Sequence, residues 1–207
     1  MSRLLDLLGK NKMTLIVELP ENTIEMAKAA EQFGADALIV TEHIPELVNS
    51  VEIPVGIDIS KNEELEEGEV KSYSKYDFIN FHCNAMPSAS KKIKAGKIIT
   101  LNDEYSLDKV INVEGLGAQA IDAAIIPISQ GVHELVVGDL QNYISIAISS
   151  GIPVIIPTQR DLKPSEVAII ADTGAKGIIL TSVVLGESIK TLEKAFKEYR
   201  IAADDIG

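Results

Sequence analysis

Gly34-Ala35-Asp36-Ala37, followed by Leu38-Ile39-Val40, closes a helix-like stretch and starts an apolar run. Gly117-Ala118-Gln119-Ala120 does the same ahead of Ile121 to Ile128, a run interrupted by Asp122. Gly174-Ala175-Lys176-Gly177 does so ahead of Ile178-Ile179-Leu180. The physical reading is common to all three. A helix ends on a left-handed Gly, Ala makes the tight turn, and a buried strand begins. A second phrase, Ile53-Pro54-Val55 and Ile152-Pro153-Val154, opens two further apolar runs. Repeated helix-to-strand turns imply βα units around a parallel sheet.

Working outward, apolar runs predict eight strands, at 14–19, 37–41, 53–59, 77–82, 97–101, 121–127, 154–156 and 178–181. Helical spacing appears between most of them: Ile24, Ala27, Ala30 and Phe33 behind an Asn22 or Thr23 cap, and Ile189, Leu192, Phe196 and Tyr199 at the end. The economical fold class is α/β, a single-domain (β/α)8 TIM barrel over residues 1–207. Residues 2–9 read as a short amphipathic helix that plugs the barrel bottom, or else pairs subunits. An open doubly wound sheet is the runner-up. It is disfavoured because Pro20-Glu21-Asn22 stands where a G-x-G-x-x-G turn would follow the first strand. Residues 61–75 are rich in Glu and Lys and read as a solvated excursion.

The 207 residues suffice for one large core, and 46% of them are hydrophobic. A formal charge of −12 argues against nucleic acid or an anionic membrane as partner, though not against a small anionic ligand in a locally positive pocket. One cysteine, Cys83, excludes an internal disulfide and any multi-cysteine metal site. No apolar segment reaches signal-peptide or membrane-spanning length, so a cytoplasmic location is expected.

In such barrels reacting groups stand at the C-terminal ends of strands. Glu18 and Asp58 occupy such positions, and strand alternation turns them inward, where a carboxylate can serve as general base. A loop-anchoring carboxylate is the competing reading for Glu18. His82 ends strand four with Asn80 two residues back, and Asn102 ends strand five. His82 suits acid/base work, and an Asn suits a developing enolate oxygen. A simple hydrogen-bonding role for His82 competes. Glu42-His43 and His133 read as surface groups, and Cys83 as a structural thiol. Glu18, Asp58 and His82 have ligand types that suit a divalent metal, but no diagnostic spacing. No metal site is assigned and no cofactor is identified, a divalent metal being left open. No Lys lies in the C-terminal half of an expected strand, which argues against a Schiff-base aldolase. The connection 129–138 is long enough to fold over a ligand or to be an ordinary surface loop.

Thr173-Gly174-Ala175-Lys176-Gly177-Ile178-Ile179-Leu180-Thr181-Ser182 resembles the strand-eight turn of phosphate-binding TIM barrels, a group that includes thiamine phosphate synthase and ribulose-phosphate 3-epimerase. The resemblance is clear over about residues 150–190 and architectural elsewhere. It implies that backbone amides after strands seven and eight hold a ligand phosphate, which places Thr158, Arg160, Thr181 and Ser182 there. Two departures stand out. Pro157-Thr158-Gln159-Arg160-Asp161 replaces a Gly-Gly-type loop, and Thr181 replaces a Gly that would let backbone approach phosphate. Arg160 would compensate as a charged donor.

The resemblance therefore implies an acid/base isomerase, epimerase or lyase on a small phosphorylated metabolite. The alternative is a non-catalytic ligand-binding or scaffold barrel descended from such enzymes, which the lost glycines favour. Carboxylates and a His converging on one pocket would favour the enzyme, and a pocket filled by Phe78, Phe81 or Tyr105 the scaffold. A homodimer is left open on fold analogy.

Overall fold

A computed structural model describes residues 2–61, 72–83 and 94–206. Most of the excursion expected over 61–75 lies outside them. Among the described residues, eight parallel strands close into a barrel in sequence order: β1 Thr14–Glu18, β2 Ala37–Val40, β3 Val55–Asp58, β4 Phe78–His82, β5 Gly96–Thr100, β6 Ala120–Asp122, β7 Val154–Pro157 and β8 Gly177–Leu180. Closure is direct, with Thr14 of β1 level with Gly177 of β8. The α-helices are α1 Arg3–Lys10, α2 Ile24–Gln32, α3 Pro45–Val48, α4 Leu107–Asn112, α5 Val137–Ser149, α6 Val167–Asp172, α7 Ser182–Leu185 and α8 Ile189–Asp204.

The repeated turns work as their chemistry demands. Gly34, Gly117 and Gly174 all have left-handed backbones, with φ of 98°, 92° and 93°. A side chain there would be strained, so Gly ends each helical segment at the lowest conformational cost. Of the two cap candidates for α2, Thr23 accepts the Met26 N–H. Asn22 instead bridges across to Thr41, through both its amide oxygen and its amide nitrogen.

Alternation along each strand sorts side chains into two cores. Leu15 and Val17 of β1 face the helices, in the large cluster that also holds Phe196 and Tyr199 of α8. Ile16 faces the barrel axis with Ile39, Phe78, Ile98, Ala120, Ile155 and Ile179. Leu4 and Leu8 of α1 belong to this inner cluster and are almost wholly buried. They enter from the strand starts. The Ser2 hydroxyl donates to Asp77 Oδ2 at 2.7 Å, just ahead of β4, and Arg3 donates to the Glu52 carbonyl, just ahead of β3.

Strand six is shorter than its apolar run suggests. Pairing stops at Asp122, and residues 123–127 leave the sheet while staying largely buried, so hydrophobicity alone overstates the strand. The short helices α3 and α7 are additions to the sequence-based expectation.

Candidate functional site

The same alternation that places Ile16 inside the barrel places Glu18 inside one layer higher. Asp58 follows Gly56, Asn80 follows Phe78, Thr100 follows Ile98, and Asp122 follows Ala120 in the same way. The register brings Asp58 level with Asn80, and Thr100 level with Asp122. An apolar layer is thus surmounted by a polar one at the C-terminal ends of the strands. Above it opens a cavity of about 590 Å³, which these five side chains line.

Seven of the eight expected site residues share this cavity: Glu18, Asp58, His82, Asn102, Thr158, Thr181 and Ser182. Phe78 fills the barrel beneath, and neither it nor Phe81 nor Tyr105 lines the cavity. Glu42 and His43 line a smaller neighbouring cavity of about 320 Å³, where the His43 ring meets Tyr73 edge-on.

Arg160 is the exception. It stands at a strand end as expected, but its guanidinium turns away from the cavity. Its Nε donates to Asp139 Oδ2 at 2.9 Å, and Nη2 donates to Asp139 Oδ1 and Gln130 Oε1. Both charged side chains are about nine-tenths buried. In this structure the Arg160 guanidinium is thus engaged in a buried ion pair. A buried guanidinium is held by the carboxylate whose charge it needs. Asp139 also accepts the Val136 N–H at the start of α5.

Thr158 and Thr181 form a clasp between β7 and β8. The Thr181 N–H donates to Thr158 Oγ1 at 2.8 Å, the Thr181 hydroxyl donates to the Thr158 carbonyl at 3.0 Å, and the two hydroxyls lie 3.1 Å apart. Thr181 also accepts the Val183 N–H at the start of α7. Ser182 lines the cavity and is exposed, as is Lys61, past the end of β3. Lys61 stands beyond the strand, which is why a survey of strand ends passes over it.

Asp122 is the group that sequence reasoning missed as a site residue. Its carboxyl is 5% exposed. Asn80 Nδ2 and Thr100 Oγ1 both donate to Oδ2, at 3.1 and 3.2 Å. The other oxygen, Oδ1, is buried and meets no donor among the described residues. Burial pushes the Asp122 pKa up to about 8, the nearby Asp58 and Glu18 carboxylates push the same way, and the two hydrogen bonds oppose them. Glu18 is also raised, first by burial and then by Asp58, with Lys61 opposing. The signal in the sequence was one charged residue inside an apolar run. Among the described residues, no three His, Cys, Asp or Glu side chains form a group that could hold a metal ion. No described helix is long and apolar enough to cross a membrane.

No protein-family model matches the chain. No curated protein matches it either. Solved structures do. Thiamine phosphate pyrophosphorylase from Pyrococcus furiosus is 19% identical, with a TM-score of 0.69 over 95% of this chain and 98% of that one. KGPDC from Streptococcus mutans is 15% identical, with a TM-score of 0.71 over 94% and 98%. The N-acetylmannosamine-6-phosphate 2-epimerase from Clostridium perfringens is 20% identical, with a TM-score of 0.66 over 87% and 90%. At these identities the likeness is one of fold, and at that level it agrees with the resemblance carried by residues 173–182.

Proposed function

We propose that this barrel is a small-metabolite enzyme, an acid/base isomerase, epimerase or lyase acting on a phosphorylated substrate. The observation that carries the reading is the Asp122 carboxyl, raised to about 8 at the floor of an open cavity that Glu18 and Asp58 also line. Two carboxyl groups whose environments differ can divide acid and base roles between them. At neutral pH Asp122 holds its proton and is the acid. Glu18 is the base, less strongly desolvated. Asn102, which also lines the cavity, is the group to steady an enolate oxygen that develops when a proton leaves carbon. His82, on the wall beside it, is a second candidate for moving a proton.

The phosphate belongs at the rim, with the Ser182 hydroxyl, the turn held by Thr158 and Thr181, and the Lys61 ammonium. Arg160 has no part in it. The structural neighbours support this half of the reading: the names of two of them, the thiamine phosphate enzyme and the epimerase, carry a phosphate. The Thr158–Thr181 clasp favours a second reading, a ligand-binding barrel without turnover, because it engages hydroxyls and an amide that a phosphate would otherwise use.

Melting temperatures measured with phosphorylated sugars, nucleotides, inorganic phosphate and divalent metals test the proposal, since a ligand that prefers the folded state raises Tm. A rise with a phosphorylated compound, diminished in Ser182→Ala, supports it. Loss of about 100-fold or more in kcat in Glu18→Gln and Asp122→Asn, with folding intact, would then assign the acid/base pair. Silence from every phosphorylated compound overturns the phosphate half. Binding without turnover gives the second reading.

A further inference from the structure

With Asp122 ionised, the floor of the cavity is a surface of acceptors. Asp122 Oδ1, Asn80 Oδ1 and Asn102 Oδ1 are all buried, all belong to side chains that line the cavity, and none meets a donor among the described residues. Asn80 and Asp122 are themselves 1% and 5% exposed, so bulk water does not satisfy them. The two donors that reach Asp122, from Asn80 and Thr100, are both committed to Oδ2. Glu18 and Asp58 add carboxylates on the same wall. A buried acceptor left unpaired is costly, so the group that belongs here brings donors.

Three kinds of group could do so. A phosphate or carboxylate end brings charge of the wrong sign. A hydroxyl brings one donor and no charge, so it serves one of the three acceptors and leaves the carboxylates beside it unneutralised. A primary ammonium brings three donors, no lone pair, and the positive charge that three nearby carboxyl groups attract. A metal ion would need ligands drawn close together, and among the described residues no three acidic, His or Cys side chains converge that way.

We propose that the floor of this cavity binds a primary ammonium group, so that the ligand is a small amine held at Asp122 and Asn80 with its anionic end at the rim. The proposal rests on the reading of the cavity as a substrate site and names the substrate class: an amine that carries a phosphate. The anionic end meets Lys61 and Ser182, the exposed residues of the rim. One consequence is thermodynamic. A cation beside Asp122 favours its ionised form, so binding at pH 7 releases a proton from a carboxyl held near 8 in the ligand-free protein, and with an amine substrate the acid role passes from Asp122 to His82, the second proton-moving group of the cavity.

Isothermal titration of the full chain at pH 7, in two buffers of different ionisation enthalpy, tests this with matched pairs that exchange amine for hydroxyl. The pairs are ethanolamine phosphate against glycol phosphate, and glucosamine 6-phosphate against glucose 6-phosphate. Ethanolamine, glucosamine and magnesium ion complete the set. The expected result is that the amine of at least one pair binds about tenfold or more tightly than its hydroxyl partner and releases protons. Asp122→Asn should abolish the release, and Glu18→Gln, a second variant on the same wall, should weaken amine binding.

Equal or tighter binding of the hydroxyl partner overturns the ammonium proposal and leaves the phosphate reading standing. Binding of the phosphate-free amines as tight as that of their phosphates supports the ammonium site and overturns the phosphate reading. Proton release on binding magnesium but no amine, or silence from every amine, overturns the proposal.

Discussion

The ring of Phe78 occupies the space that a side chain at Gly56 would need. A Cβ built on Gly56 would stand 2.1 Å from Phe78 Cε2. The two residues lie level on neighbouring strands, and Phe78 is fully buried in the inner core. One aromatic ring thus fills two positions of the layer directly beneath Asp58 and Asn80, and it sets the floor on which the polar layer rests.

Gly56→Ala is expected to destabilise the protein by about 2–3 kcal/mol, because a packed interior has no slack for an added methyl group. Phe78→Leu alone should also destabilise, through the volume it vacates. The double variant should lose less than the sum of the two, since each change relieves the other. Urea denaturation of the four proteins in this cycle measures the coupling. Strict additivity would mean that the ring and the glycine are not in competition.

Asp122 makes stability depend on pH in a sense opposite to that of an ordinary paired carboxylate. Its folded value of about 8 lies above its ordinary 3.8, so the native state holds a proton that the unfolded chain has released. Its contribution is complete below the unfolded value, declines as pH rises between the two, and is gone above about 8. The slope is on the order of 1 kcal/mol per pH unit. Glu18, raised as well, adds to the same trend at the acidic end. Asp122→Asn should flatten the profile and stabilise the protein at alkaline pH relative to the parent chain. Thermal melts from pH 5 to 9 decide it; an unchanged slope in the variant would sink the assignment.

Arg160→Ala should cost about 3–5 kcal/mol, because it leaves the Asp139 carboxylate buried without its partner. Arg160→Met combined with Asp139→Leu should recover most of that loss, as an apolar pair removes both charges together. Any ligand of the cavity should bind the folded double variant as it binds the parent, since Arg160 is not on the cavity wall. Denaturation curves test the first two statements and titration the third. A selective loss of phosphate affinity would return Arg160 to the site.

Leu8→Ala should destabilise by about 2–5 kcal/mol, the range for a fully buried leucine. Leu8 Cδ2 lies only 3.0 Å from where a Cβ on Gly177 would be, so this side chain packs against the start of β8. Leu5, only partly buried on the same helix, should tolerate the same change with a much smaller loss. Matched melts of the two variants separate a helix that seals the barrel from one that merely lies beside it.

The periodic features of this chain were readable from its residues, because they arise from local rules. Gly34, Gly117 and Gly174 announce helix-to-strand turns since only Gly adopts their backbone at little cost. The order and direction of the strands follow from the repeat, and alternation along β1 and β3 turned Glu18 and Asp58 inward. What the sequence reading left undetermined, distant neighbours decide. Arg160 occupies a strand end, but Asp139 and Gln130 come from a helix and a connection whose placement no local pattern specifies, and they draw its charge inward. Asp122 looked like an interruption of an apolar run. Its importance comes from being surrounded by Asn80, Thr100, Asp58 and Glu18 of four other strands, which gather around it only when the barrel closes. The sequence by itself determined the βα repeat and the inward face of each strand, because backbone conformation and side-chain alternation are set within a few residues. The tertiary structure alone decided which charges are buried, which are paired and which line the cavity, because desolvation and Coulomb interactions depend on what the fold brings near.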